Sequence, residues 1–230
     1  MDALEPLFDR NLDCHMCRHK FTSKKLRSKF VKVDSYDTDF CPSYKEEEIN
    51  GLLYNIYVCP KCGFSFSDDF SKYFPPGTKE EIQAKICNQW SPQDFGGIRT
   101  IEDSIKTYKL AAYCAGLKKE KYIVTAGLYL RIAWLYRLLK NKDQECRFLK
   151  IAIANYNESY SRDDFKGTQV SEVRILYLLG ELSRRVEDIE KAVKFFSMVI
   201  ERQNRSVETT LVEMARDRWH DIREQQKKAN

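Results

Sequence analysis

The stretch VCPKCGF, residues 58–64, sets Cys59 and Cys62 around Pro60 and follows them with Gly63. Upstream, DCHMCR, residues 13–18, repeats the C-x-x-C spacing with Cys14 and Cys17. Such a turn lets two thiolates reach one ion about 2.3 Å away while backbone N–H groups point at the sulfurs. Two turns complete a tetrahedron, and an ion closed by four thiolates keeps no open position for a substrate. The pattern therefore predicts a structural zinc site held by Cys14, Cys17, Cys59 and Cys62. Iron is the alternative ion, because rubredoxin-like centres use the same two turns, including the C-P-x-C-G form. Thiol exchange chemistry is a further rival, although it calls for one pair on a βαβ scaffold rather than two pairs. His15 and His19 flank the first turn, and Cys41 lies between the pairs; each is a substitute ligand that a four-cysteine site does not need.

Working outward, the run Leu53–Val58 is rich in β-formers and reads as the strand that delivers the second turn. Phe64, Ser65 and Phe66 leave it as a return strand, and Phe30–Asp34 alternates like a further strand. Strand, turn, strand is a zinc-ribbon-like arrangement. The intervening residues 18–58 exceed what a minimal ribbon needs, and the excess reads as a loop around Phe40, Cys41 and Pro42.

The segment Tyr73–Thr78 interrupts the pattern with Pro75, Pro76 and Gly77, and Thr78 is the expected N-cap of a short helix ending near Trp90. Residues 90–97 read as a hinge. From Thr100 onward there is no proline, which fits an all-helical half with helices near 101–116, 120–140, 142–160, 169–186, 188–203 and 206–227. Short polar turns between them imply antiparallel neighbours. Leu179, Gly180, Ala192 and Phe196 reproduce the small and large positions of a tetratricopeptide unit, and the last helix reads as a cap with one apolar face.

The expected fold is thus α+β, mainly α: a zinc-ribbon-like region over 1–75, a helical linker with a hinge over 76–100, and a tetratricopeptide-like antiparallel helical array over 101–230. With 230 residues and 43% hydrophobic content, the chain can bury a real core. The acidic start MDALEPLFDR and the lack of an apolar run near 20 residues predict a cytoplasmic protein without a membrane span. Four of the eight cysteines lie outside the pairs, scattered, which suits reduced thiols beside a metal.

The whole chain resembles an uncharacterised bacterial family in which a double C-x-x-C region precedes tetratricopeptide-like helices. The matching strings are VCPKCGFSF (58–66), IRTIEDSIKTYKLA (98–111) and GLYLRIAWLYRLL (127–139). The resemblance brings no activity and no catalytic residues. Its helical part implies a protein-binding scaffold.

The residues themselves add no catalytic constellation. With only His15, His19 and His220, a histidine-based triad would have to recruit a neighbour of the first cysteine turn or the last helix, and no nucleophile elbow, P-loop or dinucleotide fingerprint is present. The expected function is a non-enzymatic adaptor for an unidentified protein partner. Tyr122, Tyr129 and Tyr136 recur every seven residues, and Arg131 is the lone charge in the run 126–136; Tyr122, Tyr129 and Arg131 are the candidate partner-binding residues. A nucleic-acid reading would use the basic segment 18–32, chiefly Lys20, Lys24, Lys25, Arg27 and Lys29. The acids that follow, Asp34, Asp37, Asp39 and Glu46–Glu48, argue against a continuous phosphate track.

Overall fold

The computed structural model describes residues 4–46, 49–203 and 207–229; Glu47 and Glu48 of the acidic run lie outside them. The chain forms two compact units. Unit 1 takes the described residues up to Glu120 together with Gly127–Glu145, and unit 2 takes Lys121–Ala126 and the described residues from Cys146 onward.

Unit 1 begins with an antiparallel hairpin of β1 (Leu7–Asp13) and β2 (Lys20–Leu26), in register from Leu7↔Leu26 to Asp13↔Lys20. Opposite charges face each other across it: Asp9 pairs with Lys24 at 3.0 Å. A second hairpin joins β3 (Val33–Tyr36) to β4 (Pro42–Tyr44), with an irregularity between Val33 and Ser35. The third joins β5 (Tyr57–Val58) to β6 (Ser65–Phe66).

Two expected strands are corrected. Residues Ser28–Phe30 form a 3-10 turn closed by local bonds, Phe30 N–H to Arg27 O and Val31 N–H to Ser28 O, so the strand starts only at Val33. Gly51–Tyr54 is a second 3-10 turn because the Asn50 side chain accepts from Leu52 N–H at 2.9 Å, which leaves only Tyr57 and Val58 extended. The excess around Phe40 is the connection of a hairpin rather than a free loop.

The short helix α1 (Thr78–Lys85) starts one residue earlier than the expected cap: Gly77 takes the N-cap with φ 80°, and Thr78 is buried with its hydroxyl donating to Pro75 O. Helix α2 (Ile101–Lys118) follows, capped by the Thr100 hydroxyl on Asp103 N–H, and packs on the β5–β6 hairpin. Tyr108, wholly buried, donates to Leu52 O and accepts from Asn55; Ser104 donates to Leu53 O. Helix α3 (Tyr122–Leu138) and helix α4 (Lys142–Arg162) follow in sequence.

Unit 2 is built on α5 (Glu172–Arg185), α6 (Ile189–Glu201) and α7 (Thr209–Ala229) beside the α4 residues from Cys146 on. Ser171 and Asp188 cap α5 and α6 through their side chains. Gly180 lets α6 come close: a Cβ there would lie 2.8 Å from two ring carbons of Phe196, which is itself wholly buried. The structure is a mainly helical α+β chain with seven α-helices among the described residues. None of them is long and apolar enough to cross a membrane.

Candidate metal centre

Each cysteine pair occupies the turn of a hairpin, and the two turns are built alike. In the first, Arg18 N–H bonds Cys14 O at 3.0 Å and Cys14 N–H bonds His19 O at 2.9 Å. In the second, Gly63 N–H bonds Cys59 O at 2.9 Å and Cys59 N–H bonds Phe64 O at 3.0 Å. The residue after the second cysteine is left-handed in both, at φ 62° for Arg18 and 72° for Gly63. Glycine makes that conformation at no steric cost, whereas Arg18 carries it against its own Cβ. Glycine at 63 has a second reason. The Trp90 ring lies where a Cβ would be, 2.4 Å away, and its indole N–H donates to Pro60 O at 2.9 Å. Trp90, the first residue of the expected hinge, therefore packs on the second turn, and Gly96 O accepts from Lys24 N–H of β2 at 2.7 Å.

The four sulfurs lie within 4.8 Å of one another. Cys14 and Cys62 are 3.7 Å apart, as are Cys17 and Cys59. A tetrahedron with metal–sulfur bonds of 2.3 Å has edges of about 3.8 Å, so both spacings fit one ion. Cys14, Cys59 and Cys62 are buried and Cys17 is half-buried. Packed this closely, the thiols cannot all ionise without a cation. Cys14 first and Cys62 second draw the Cys59 thiol well down, and Cys59 in turn pushes the Cys14 thiol up. Cys62 is raised as well, by Cys14 first and Cys59 second. A divalent ion would remove that conflict by stabilising every thiolate at once.

The substitute ligands stand apart. His15 stacks on Phe66 at 4.3 Å, and burial, followed by the charge of Lys118, lowers its pKa. Neither His15, His19 nor Cys41 belongs to the sulfur group. Cys87, one of the four cysteines outside the pairs, sits on a 3-10 turn beside the cluster: burial raises its thiol and a bond with Cys62 works against the rise.

Charged side chains tie the two hairpins together. Asp68 accepts from Arg10 of β1 at 2.9 Å and from Lys25 of β2 at 2.8 Å, and Arg10 also donates to the Tyr57 hydroxyl of β5 at 2.6 Å. Arg99, 5% exposed, has no carboxylate partner among the described residues; it donates to the backbone oxygens of Leu53, Ile56 and Phe95 and to Ser23 Oγ. Burial lowers its pKa. It thus fixes the polypeptide leading into β5.

Of the basic segment, Lys24 and Lys25 are engaged by Asp9 and Asp68. Arg27 lies over Phe8 and donates to Glu5 O, and Lys29 lies over Phe30. Lys20 is exposed opposite Asp13 in the β1–β2 register.

On α3, Tyr129 and Arg131 are half-buried residues of unit 1, and Tyr122 belongs to unit 2, where Arg162 lies over its ring. Two residues apart, Tyr129 and Arg131 project roughly 200° from each other around the helix and do not share a face. Arg131 has no acidic partner among the described residues and donates back to Gly127 O at 3.1 Å.

Sequence reading missed the most heavily bonded cluster of unit 1. Asp39, in the β3–β4 connection, is wholly buried and accepts from the Trp134 indole at 2.9 Å and from Arg137 at 2.6 and 3.0 Å. Arg137 also meets Glu145 at 2.6 Å and Asp37 at 2.9 Å. No local signal in the sequence pointed to it, because Asp37 and Asp39 lie about a hundred residues from Arg137.

Neither a curated protein nor a solved structure matches the chain. A family profile does, over residues 7–222, nearly the whole length, and the resemblance carried by the cysteine turns and the helical strings is thereby identified. The chain belongs to the family described as "Uncharacterized protein conserved in bacteria (DUF2225)".

Proposed function

We propose that this protein is a non-enzymatic cytoplasmic scaffold in which a zinc-ribbon-like module, closed by a structural zinc ion, supports a tetratricopeptide-like helical array that binds another protein. The observation that supports a structural metal site is the sulfur geometry: paired turns, spacings of 3.7 Å and mostly buried ligands suit one ion held by four thiolates, a role that zinc fills without redox chemistry. A hairpin module this small has little core of its own, and a four-thiolate ion would contribute on the order of 10 kcal/mol to its folding. The close approach of α5 and α6 at Gly180 and Phe196 supports the repeat reading.

Arg131 is the α3 group suited to an acidic partner, because it holds no carboxylate among the described residues. The engagement of Lys24 and Lys25 by acids disfavours the nucleic-acid reading.

Elemental analysis should find about one zinc per chain. Cys59→Ser should release it and unfold the hairpin region while unit 2 keeps its helical signal. A well-folded, metal-free wild type after mild chelation overturns the structural-site reading, and stoichiometric iron replaces zinc with an iron–sulfur centre. For the scaffold, a partner recovered from native lysate should be lost by Arg131→Glu in protein that circular dichroism shows to be folded; undiminished capture removes Arg131 from the interface.

A further inference from the structure

Unit 2 contains a cavity of about 640 Å³ bounded by α4, the end of α5 and the start of α6, a volume in the range of small-molecule sites. Lys150, Ile153, Ala154 and Asn157 supply one stripe of α4 at helical spacing. Ser183 and Val186 contribute from the end of α5, and Lys194 and Phe195 from α6.

Ser183 is wholly buried, and its hydroxyl has no hydrogen-bond partner among the described residues. A buried polar group in that state calls for an explanation, and a ligand entering the cavity that Ser183 lines would supply the missing partner. Asn157, exposed on the α4 wall, adds both a donor and an acceptor.

Charge narrows the chemistry. Lys191 is held by Asp188 at 2.7 Å, so that pair cancels within the wall. Lys150 and Lys194 are exposed and make no ion pair among the described residues, while Glu187, on the left-handed turn between α5 and α6, is the one lining acid outside the pair. Two lysines against one carboxylate leave the lining one charge positive, which a single negative charge neutralises and a phosphate dianion overshoots. The apolar remainder, Ile153, Val186 and the largely buried Phe195, suits a hydrocarbon or aromatic body.

We propose that this cavity binds a monoanionic carboxylate attached to an apolar body, with the anion near Lys150 and Lys194, polar contacts to Ser183 and Asn157, and the body against Phe195.

The test uses 8-anilinonaphthalene-1-sulfonate, an amphipathic monoanion, beside N-phenyl-1-naphthylamine, the same body without charge. The anion should bind with one-to-one saturation and at least tenfold more tightly than the neutral dye. The double variant Lys150→Glu, Lys194→Glu, folded by circular dichroism, should lose at least tenfold in affinity for the anion and keep its affinity for the neutral dye. Ser183→Ala should weaken anion binding without lowering the melting temperature of the free protein. Equal affinity for the two dyes, or anion binding that survives the double variant, overturns the proposal. Displacement by 4-phenylbutyrate, or by an acetylated peptide ending in a free phenylalanine carboxylate but not by its amide, identifies the source of the carboxylate. An anion released by neither carboxylate overturns the assignment.

Discussion

Replacing Asp39 by alanine tests the cluster that joins the β3–β4 connection to α3. Asp39 is 0% exposed and accepts from the Trp134 indole, from two nitrogens of Arg137 and, at 3.3 Å, from Cys41 N–H. Burial works against the Arg137 charge, but its bonds to Asp39 and then Glu145 outweigh that and raise its pKa. Removing one partner of a buried pair costs about 3–5 kcal/mol. Here Arg137 is 21% exposed and keeps Glu145 and Asp37, which moves its share toward the low end. The Trp134 indole, however, loses its carboxylate in a buried setting, worth about 1–3 kcal/mol. We expect a total of about 3–4 kcal/mol, and roughly half of that for Asp39→Asn, whose amide retains one acceptor oxygen. The assay is urea unfolding followed by tryptophan fluorescence in a Trp219→Phe background, which leaves Trp90 and Trp134 of unit 1 as reporters. The midpoint should fall with an unchanged slope. A loss below about 0.5 kcal/mol, the size of an ordinary surface substitution, would refute the claim that this buried carboxylate holds the connection in place.

Three further outcomes are expected. Gly63→Ala should cost about 2–4 kcal/mol and loosen the metal, since it adds a Cβ 2.4 Å from the Trp90 ring at φ 72°; a variant that retains its metal with native Trp90 fluorescence contradicts this. Gly180→Ala should lower stability by roughly 1–2 kcal/mol, because overpacking against the buried Phe196 exceeds the gain in helix propensity; an unchanged melting midpoint means that α5 and α6 are not so close. Burial would raise the Asp68 carboxyl, but hydrogen bonds from Arg10 and Lys25 outweigh it and hold its pKa below the ordinary value. That contribution is present above the ordinary carboxylate pKa near 4 and fades as pH falls through the lower folded value, so Asp68→Asn should flatten the acid limb of stability by a few tenths of a kcal/mol, little because the side chain is half exposed; a steeper acid limb would show the sign to be wrong.

The residues that make the cysteine turns speak for themselves because the information is local. The C-x-x-C spacing goes with the same bond pattern in both turns, although only the second follows it with a glycine, and Cys14, Cys17, Cys59 and Cys62 converge as their spacing implies. The helical half was legible in outline because the absence of proline after Thr100 is a property of the chain alone, whereas Ser171 and Asp188, which cap α5 and α6, fall inside the helices expected at 169–186 and 188–203. Gly180 and Phe196, sixteen positions apart, were recoverable because a repeat brings distance back to a known period.

What sequence reading did not specify depended, apart from the local Asn50–Leu52 bond, on partners far along the chain. Leu53–Val58 has the composition of a strand, yet the Asn50 side chain captures Leu52 N–H and the Arg99 guanidinium claims the carbonyls of Leu53 and Ile56, so only Tyr57 and Val58 pair. Trp90 looks like part of a hinge until its ring is seen to exclude a Cβ from Gly63. Asp39 looks like one more solvated acid until Trp134 and Arg137, nearly a hundred residues away, bury it. For Leu53, Ile56 and Asp39 the state of a polar group is decided by which donor the fold brings within about 3 Å, and for Gly63 by which ring it packs there; no local pattern encodes either choice.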